Sequence, residues 1–583
     1  MIGSIILVAL VSALLSAAAT PACAAVARRM RLVVQPRQDR WHSRPTPVLG
    51  GAAMTLAVLV ALSLTLRPDP STFALLASAG LAFALGLIDD FRRIAPATKL
   101  AGQVIVAGLL AFGGIHVEII EFAPLAFLLT IFWVVGIMNA VNLLDNMDGL
   151  AAGITAIAAI VLGLTALPEN PTAALVAFAT AGAALGFLPY NFFPARVFMG
   201  DAGSQLLGLL LAAVALMHTA AGAANAGLAV LGPVLVLALP IFDTAFVAAS
   251  RRLAGRGVGQ GGRDHASHRL AALGLSDRAA VIMLYAIAAA LALAGVVADE
   301  MSALLPPLFV LTAIGLVLFG VFLAEIDVYG RLRSESSRES TSVMRAFATY
   351  GRFGAEVGMD VILLTTAYYL AYVIRFETEW DGWLPFFVES VPIVVGAQLA
   401  ALVVFGVYRT LWRYFTLDDT VIVGRAVVVG SSIAALGIVL AFRFEEYSRG
   451  VLVLDAILAL LLLVGSRAFL LWLRQSFAAR PHSDEQRVLI VGANDSGALA
   501  LRLLGRTAGS RQRAIGFIDD DPGKRHRRVA GVPIVGTTRD LSLVITRLRP
   551  DLVLFAVTQG EVSPLRATCD ELGVPWRDIA VRV

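Results

Sequence analysis

The feature that most constrains this chain is a repeated one: apolar runs long enough to cross a bilayer, separated by short polar breaks. About 20 mainly apolar residues suffice for a helical span. Such runs fall near 3–26, 49–66, 72–88, 99–115, 123–141, 151–167, 172–190, 204–220, 227–249, 278–297 and 303–325. A polar linker containing RLRSESSRES follows over 331–352, and four more runs come after it, at 355–375, 389–408, 421–442 and 451–474. From Pro481 the composition turns soluble. A chain with 58% hydrophobic residues, only 15% charged ones and a mean hydropathy of +0.81 is not a soluble globular protein. The pattern reads as a polytopic α-helical membrane protein, about 11 + 4 transmembrane helices, with a C-terminal α/β domain outside the membrane.

The charges test that count. If the chain starts outside and alternates, Arg28 to Arg44, Asp89 to Lys99, Arg251 to Arg269, the 331–352 linker, Arg409, Arg413 and the soluble domain all fall inside. The outside loops then hold Asp69, Glu118, Glu121, Glu169, Asp299, Glu300, Glu377, Glu379, Asp381, Glu445 and Glu446. Lys and Arg gather inside, as the positive-inside bias requires, and Trp380 and Trp383 fall where an outer aromatic belt is expected. The first run ends in small residues, like a signal peptide, but it has no basic n-region, and Arg28, Arg29 and Arg31 follow it. A resident first span is therefore preferred. Cys23 and Cys569 lie at opposite ends, so neither a disulfide framework nor a Cys-rich metal site is expected.

Within this frame NAVNLLDNMDGL (139–150) stands out. Two carboxylates, Asp145 and Asp148, and two amides, Asn142 and Asn146, sit at the end of a span. Ionisable groups there cost free energy and point to function; the plain alternative is a helix cap and turn. Four more polar loops share the inner face: DRWHSRPTP (39–47), IDDFRR (88–93) with Lys99, NFFPARVFMGDAGS (191–204) and GRDHASHRL (262–270). Each has a structural alternative. Asp89 and Asp90 could be ion-paired with Arg92, Arg93 and Lys99, Asp201 could cap a helix, and His265 and His268 could be solvated. Five such loops on one face point to a single site built on helix ends. Carboxylates there would hold a hard cation and basic residues would hold phosphate. A membrane site of this kind implies one water-soluble substrate and one lipid substrate.

The motifs HSRPTPVLGG, LGLIDDFRR with KLAGQ, NAVNLLDNMDGL, NFFPARVFMGDAGS and GRDHASHRL occur in this order. Together they resemble the polyprenyl-phosphate N-acetylhexosamine-1-phosphate transferases, the WecA/MraY-like superfamily, over about 1–325. The resemblance implies transfer of a sugar 1-phosphate, such as GlcNAc-1-phosphate, from a UDP-sugar to undecaprenyl phosphate. Mg2+ (or Mn2+) would assist, UMP would leave, and cell-envelope glycan synthesis would begin. It implies Asp201 as the metal ligand, with Asp89 and Asp90 at the lipid phosphate. Asn142 and Asp145 would lie at the metal–phosphate centre, and Lys99 would offset phosphate charge. Asp148 and Asn191 would read uracil, on which Phe198 would stack. His265, His268 and Arg269 would contact the diphosphate or sugar, and His42 would bind substrate. Two departures are visible: the family usually has Gly at the place of Asn146 and a further His at the place of Ser267. The pattern is closer to the WecA type than to MraY, which points to a UDP-N-acetylhexosamine rather than a muramoyl peptide. Direct in-line attack by the lipid phosphate is favoured over an aspartyl intermediate.

In the second half, RVLIVGANDSGALALRLL (487–504) reads as strand, glycine turn and helix, with further strands at IGFIDDDPGK (515–524) and DLVLFAVT (551–558). Gly492 and Gly497 fit a dinucleotide fingerprint, but Asn494 takes its middle place, so a nucleotide or NAD-like ligand rests on an incomplete motif. The half resembles the membrane-plus-Rossmann-like part of CapD/PglF/WbpM-type dehydratases without the following catalytic domain, so no dehydratase activity is expected. It could regulate, form a homodimer, or dock downstream glycan-assembly enzymes. The domains expected are 1–327 (transferase), 328–354 (cytoplasmic linker), 355–480 (four helices) and 481–583 (Rossmann-like). The protein would sit in a bacterial inner membrane, its site and C-terminal domain cytoplasmic, with no nucleic-acid partner. The rivals are a catalytically inactive scaffold or nucleotide-sensing regulator, and a lipid-linked sugar transporter, which would need polar groups near mid-membrane.

Overall fold

The structure is a computed structural model that describes residues 1–35, 45–219, 230–257, 262–300, 302–326, 328, 342–376, 380–409, 415–443, 445, 447–478, 486–506, 512–524, 527–556 and 562–578. It forms two compact units, Met1–Phe477 and Ala478–Val583.

In the first unit, eleven helices among the described residues are long and apolar enough to span a membrane, and Gly50–Thr65, Pro96–Phe112 and Leu150–Ala166 are shorter apolar helices. The run expected at 227–249 is not one helix. Leu231–Val236 and Ala238–Leu253 are separate, and Pro240 explains the break, because it has no N–H to give to the carbonyl one turn back. The helix Ser342–Phe376 also begins inside the expected polar linker.

The elements that build the site are α1 (Ile2–Arg29), α2 (Gly50–Thr65), α3 (Pro70–Arg92), α4 (Pro96–Phe112), α5 (Ala123–Leu144), α6 (Leu150–Ala166), α7 (Pro171–Asn191) and α8 (Gly200–Thr219). The most buried, α8, packs against α2, α3, α5, α6 and α7. Its Leu206, Leu207, Leu209 and Leu210 are fully buried, so it is the axis around which the others stand. In a bilayer apolar area alone does not drive helices together, and close backbone approach does much of the holding. The α1–α7 contact illustrates this: Gly182 and Gly186 are four apart, and a Cβ on them would meet Ala9 O at 2.3 Å and Ala13 O at 2.2 Å. Ser12 and Ser16 donate to the Ala179 and Ala183 carbonyls across the same seam at 2.7 and 2.8 Å. The first apolar run is thus packed into the bundle.

The helices Ser342–Phe376, Trp380–Val404, Leu417–Phe442 and Arg449–Ala478 enclose their own apolar clusters. Trp383 is buried, stacked on Tyr372 with ring centroids 5.2 Å apart. Helical spacing puts it on the face of Phe387, toward Tyr369 and Tyr372. The side chain of Trp380 lies outside the described residues.

Among its described residues the second unit has the strands β1 (Gln486–Val491), β2 (Gln512–Ile518), β3 (Arg528–Val529), β4 (Val532–Gly536), β5 (Leu552–Phe555) and β6 (Trp576–Asp578). They form one sheet in the order β3-β4-β2-β1-β5-β6. All pairings are parallel except β3 with β4. The first strand is central and the order reverses beside it, which is the Rossmann-like arrangement. The hydrophobic runs Val488–Val491 and Leu552–Phe555 are buried, as parallel strands covered on both faces require.

Candidate active site

Helix ends from four segments converge on Lys99. Its ammonium lies 2.9 Å from Asp89 Oδ2 and 3.0 Å from Asp201 Oδ2, and it donates to Asn142 Oδ1 at 3.2 Å. Asn142 Nδ2 donates in turn to Asp201 Oδ1 at 2.6 Å and Ser204 Oγ at 2.8 Å. The carboxyl groups of Asp89 and Asp201 lie within hydrogen-bonding reach of each other. α3, α4, α5 and α8 each supply one of these four groups.

Asp90 does something different from its neighbour. Its two oxygens accept from the backbone N–H groups of Asp201 (2.8 Å) and Ala202 (3.1 Å), so it caps the start of α8 from another helix. The first N–H groups of a helix have no partner within it, and a carboxylate also favours the positive end of the helix dipole. The fit requires Gly200, whose φ is +73 and whose Cβ would lie 2.6 Å from Asp90 Oδ2. Asp90 thereby fixes where Asp201 sits.

One turn deeper, a layer of amides joins the same helices. Gln103 Nε2 donates to Gln205 Oε1 at 2.8 Å, and Asn139 Nδ2 donates to Gln103 Oε1 at 2.9 Å. The spacing could have revealed them: Gln103 and Gln205 are four residues past Lys99 and Asp201, and Asn139 is three before Asn142.

Asp145 follows α5 directly, and among the described residues its carboxyl has no hydrogen-bond or ion-pair partner. Burial, reinforced by the charges of Asp201, Asp90 and Asp148, pushes it up to about 7. Asp148 Oδ2 accepts from Ala195 N at 2.8 Å. Asn191, 1% exposed, accepts from Gly149 N at 3.1 Å and donates to Val197 O at 3.1 Å. These two clasp the 145–149 loop to the 192–198 loop. Half-buried Phe198 belongs to the latter, and its backbone bonds Pro47 and Gly50. His42 lies outside the described residues.

The third group is the helix Ala266–Ala272. His265 Nδ1 lies 2.8 Å from Asp243 Oδ2, whose other oxygen accepts from Ala266 N at 2.8 Å. The carboxylate favours the tautomer with the proton on Nδ1 and leaves Nε2 as the second nitrogen. His268 stands edge-on to His265, ring centroids 6.0 Å apart. Burial, then the neighbouring His265, pulls His268 down to about 4, so it is neutral near pH 7. Burial alone would raise Asp264, but bonds from Arg256 and Arg251 outweigh it and hold it below its usual range. Arg269 is anchored: it donates to Asp264 O, Leu323 O and Ile326 O and lies 5.0 Å over the Phe246 ring. Sequence reading missed Asp243, although a lone carboxylate in the apolar stretch ALPIFDTAF was the available signal.

Gly492 and Gly497 belong to the second unit. Gly492 has φ +106, and a Cβ at Gly497 would meet Gly492 O at 2.0 Å, so both glycines serve the tight strand-to-helix turn. Asn494 Oδ1 accepts from Gly497 N at 2.9 Å, and Asp519 Oδ2 accepts from Ala493 N at 2.8 Å. Lys524 Nζ bonds both Ala493 O and Asp519 Oδ2 at 3.0 Å.

Fold and site together define a multi-pass membrane protein with an acidic centre, one lysine and a nearby histidine helix at its helix ends. A family pattern described as "Glycosyl transferase family 4" matches residues 72–219, and one described as "CoA-binding domain" matches residues 403–572. The chain is 31% identical over 279 residues to the probable undecaprenyl-phosphate N-acetylglucosaminyl 1-phosphate transferase of Bacillus subtilis (strain 168), covering 46% of this chain and 77% of the relative. It is 34% identical over 320 residues to the decaprenyl-phosphate N-acetylglucosaminephosphotransferase of Mycobacterium leprae (strain TN), covering 48% and 80%. It is also 34% identical over 276 residues to the phospho-N-acetylmuramoyl-pentapeptide-transferase of Moorella thermoacetica (strain ATCC 39073 / JCM 9320), covering 43% and 83%. The chain therefore belongs to glycosyl transferase family 4, the WecA/MraY-like transferases, and is a phosphoglycosyl transferase whose C-terminal region matches the second pattern.

Proposed function

We propose that the protein transfers an N-acetylhexosamine 1-phosphate, GlcNAc-1-phosphate first among them, from a UDP-sugar to undecaprenyl phosphate at the cytoplasmic face. The observation that carries this reading is the convergence of Asp89, Asp201, Asn142 and Lys99, with Asp90 holding α8 in place. The Bacillus subtilis and Mycobacterium leprae relatives, named as N-acetylglucosamine phosphotransferases on polyprenyl phosphates, support the choice of sugar and lipid.

A divalent cation, Mg2+ or Mn2+, fits these residues. Among the described residues no cluster of three or more acidic, His or Cys groups forms a ready cage. Mg2+ is usually bound by one or two carboxylates with water and substrate phosphate completing its shell. Asp201 and Asp89, within reach of one another, would be that pair. When bound, the cation offsets negative charge on the donor diphosphate as it is attacked. In the reaction an oxygen of the lipid phosphate forms a bond to the sugar-bearing phosphorus of the donor. The bond from that phosphorus to the bridging oxygen breaks, and UMP leaves with the electron pair. Lys99 would offset phosphate charge, and Asn142 and Asp145 would line the reacting centre. Asp148, Asn191 and Phe198 would form the uridine side. His265, its tautomer set by Asp243, and neutral His268 would face the diphosphate or sugar as hydrogen-bonding groups.

Purified protein incubated with undecaprenyl phosphate, Mg2+ and each UDP-N-acetylhexosamine in turn should release UMP with at least one donor and lose activity in EDTA. No UMP from any of them overturns the reading.

A further inference from the structure

The acidic centre and the histidine helix come from distant parts of the chain, and a side-chain hydrogen bond joins them. Ser267 Oγ donates to Asn146 Oδ1 at 2.5 Å across 121 residues of sequence. Asn146 is the residue after Asp145, and its Nδ2 donates to Leu143 O at 2.9 Å, in the last turn of α5. Ser267 lies between His265 and His268 on their helix. It is 1% exposed, so bulk water cannot stand in for the asparagine oxygen if that is removed. These are also the two positions at which the chain departs from the motifs it resembles.

Resting on the transferase reading above, we propose that Asn146 and Ser267 act as one positioning unit, holding the Asp145–Asp148 loop in register with His265 and His268. Neither residue needs to touch a reacting atom. The histidine helix is itself fixed by Asp243 on His265 and Ala266 and by Arg269 on the Leu323 and Ile326 carbonyls. Asn146 therefore ties the loop, on its α5 side, to a fixed partner. Removing either member takes away this tie and leaves the other group unsatisfied, so losing both costs little more than losing one.

The test is a double-mutant cycle on the full-length protein, reading kcat and KM for UDP-GlcNAc with hydrogen exchange over 143–149. Ser267→Ala and Asn146→Ala should each lower kcat/KM about tenfold, the double variant no further than about twofold beyond the worse single, and Ser267→Thr should restore most of the loss. Exchange over 143–149 should rise in Ser267→Ala and return in Ser267→Thr. Additive losses, or unchanged exchange in Ser267→Ala, overturn the proposal. A wild-type protein that releases no UMP overturns the transferase reading instead, and the exchange comparison then still decides whether the pair holds the loop.

Discussion

Two polar centres in the membrane unit use the same ingredients to opposite ends. At the first, Asp89 and Asp201 flank one lysine, and the side chains of Lys99 and Asp201 keep 15% and 34% exposure. At the second, Asp360 and Arg467 form a two-pronged ion pair, Nη1 to Oδ1 at 3.2 Å and Nη2 to Oδ2 at 2.8 Å, with 0% and 2% exposure. One is open and carries surplus negative charge. The other is sealed and balanced. A surplus of carboxylate at an accessible helix end is costly unless a cation or substrate relieves it, whereas a matched buried pair needs nothing from outside. Charge balance and access, more than the mere presence of ionisable groups in a span, separate the site from the scaffold.

The largest expected effect would break that contrast if it failed. Asp201→Asn should cut UMP release by about 1,000-fold or more, as removal of a group central to transition-state charge does, while Asp360→Asn should leave turnover within about tenfold of wild type per folded molecule. Comparable losses at both would erase the distinction. Next in size, Arg467→Met should lower stability by about 3–5 kcal/mol by stranding a buried carboxylate, and adding Asp360→Leu should recover most of it. Thermal unfolding in detergent reads both, and a double variant no better than the single would show that the pair does more than balance charge.

A pH experiment sharpens the open side. Unfolded histidine takes up its proton near 6.5, whereas His268 in the fold does so only at about 4. Its contribution is therefore complete above about pH 6.5 and is lost as pH falls toward 4, worth about 2–4 kcal/mol over that window. His268→Gln should flatten this part of the stability–pH curve, and an unchanged slope would remove His268 as its cause. The smallest effect concerns Asp90. Asp90→Ala should cost about 1–2 kcal/mol as a lost cap, with a fall in turnover smaller than that of Asp201→Asn. Equal falls would mean that Asp90 meets substrate itself.

Much of this was legible in the chain. The apolar runs marked nearly every helix, because burial in lipid demands an unbroken apolar stretch that can be counted locally. Three of the five polar loops assigned to one face named Asp89, Asp90, Lys99, Asn142, Asp145 and Asp201, and these do lie in one region. The sequence could not divide labour among them. Asp89 and Asp90 are neighbours, yet one bonds Lys99 and the other caps α8, since successive helical residues point about 100° apart and the meaning of each direction depends on what stands there. Nor could it show that Asn191 and Arg269 spend their polar groups on backbone, or that Asn146 meets Ser267.

By itself, then, the sequence determined the membrane class, the succession of helices, the Rossmann-like order of the last strands and the set of residues available for chemistry. These follow from hydrophobicity and short-range periodicity, which act over one or two helical turns. Only the tertiary structure decided which carboxylate faces Lys99, which one holds a helix in place, and which ion pair is closed off from water. Such assignments depend on contacts between residues about a hundred positions apart, such as Lys99 with Asp201 and Asp90 with Ala202, and those distances exist only once the helices have packed.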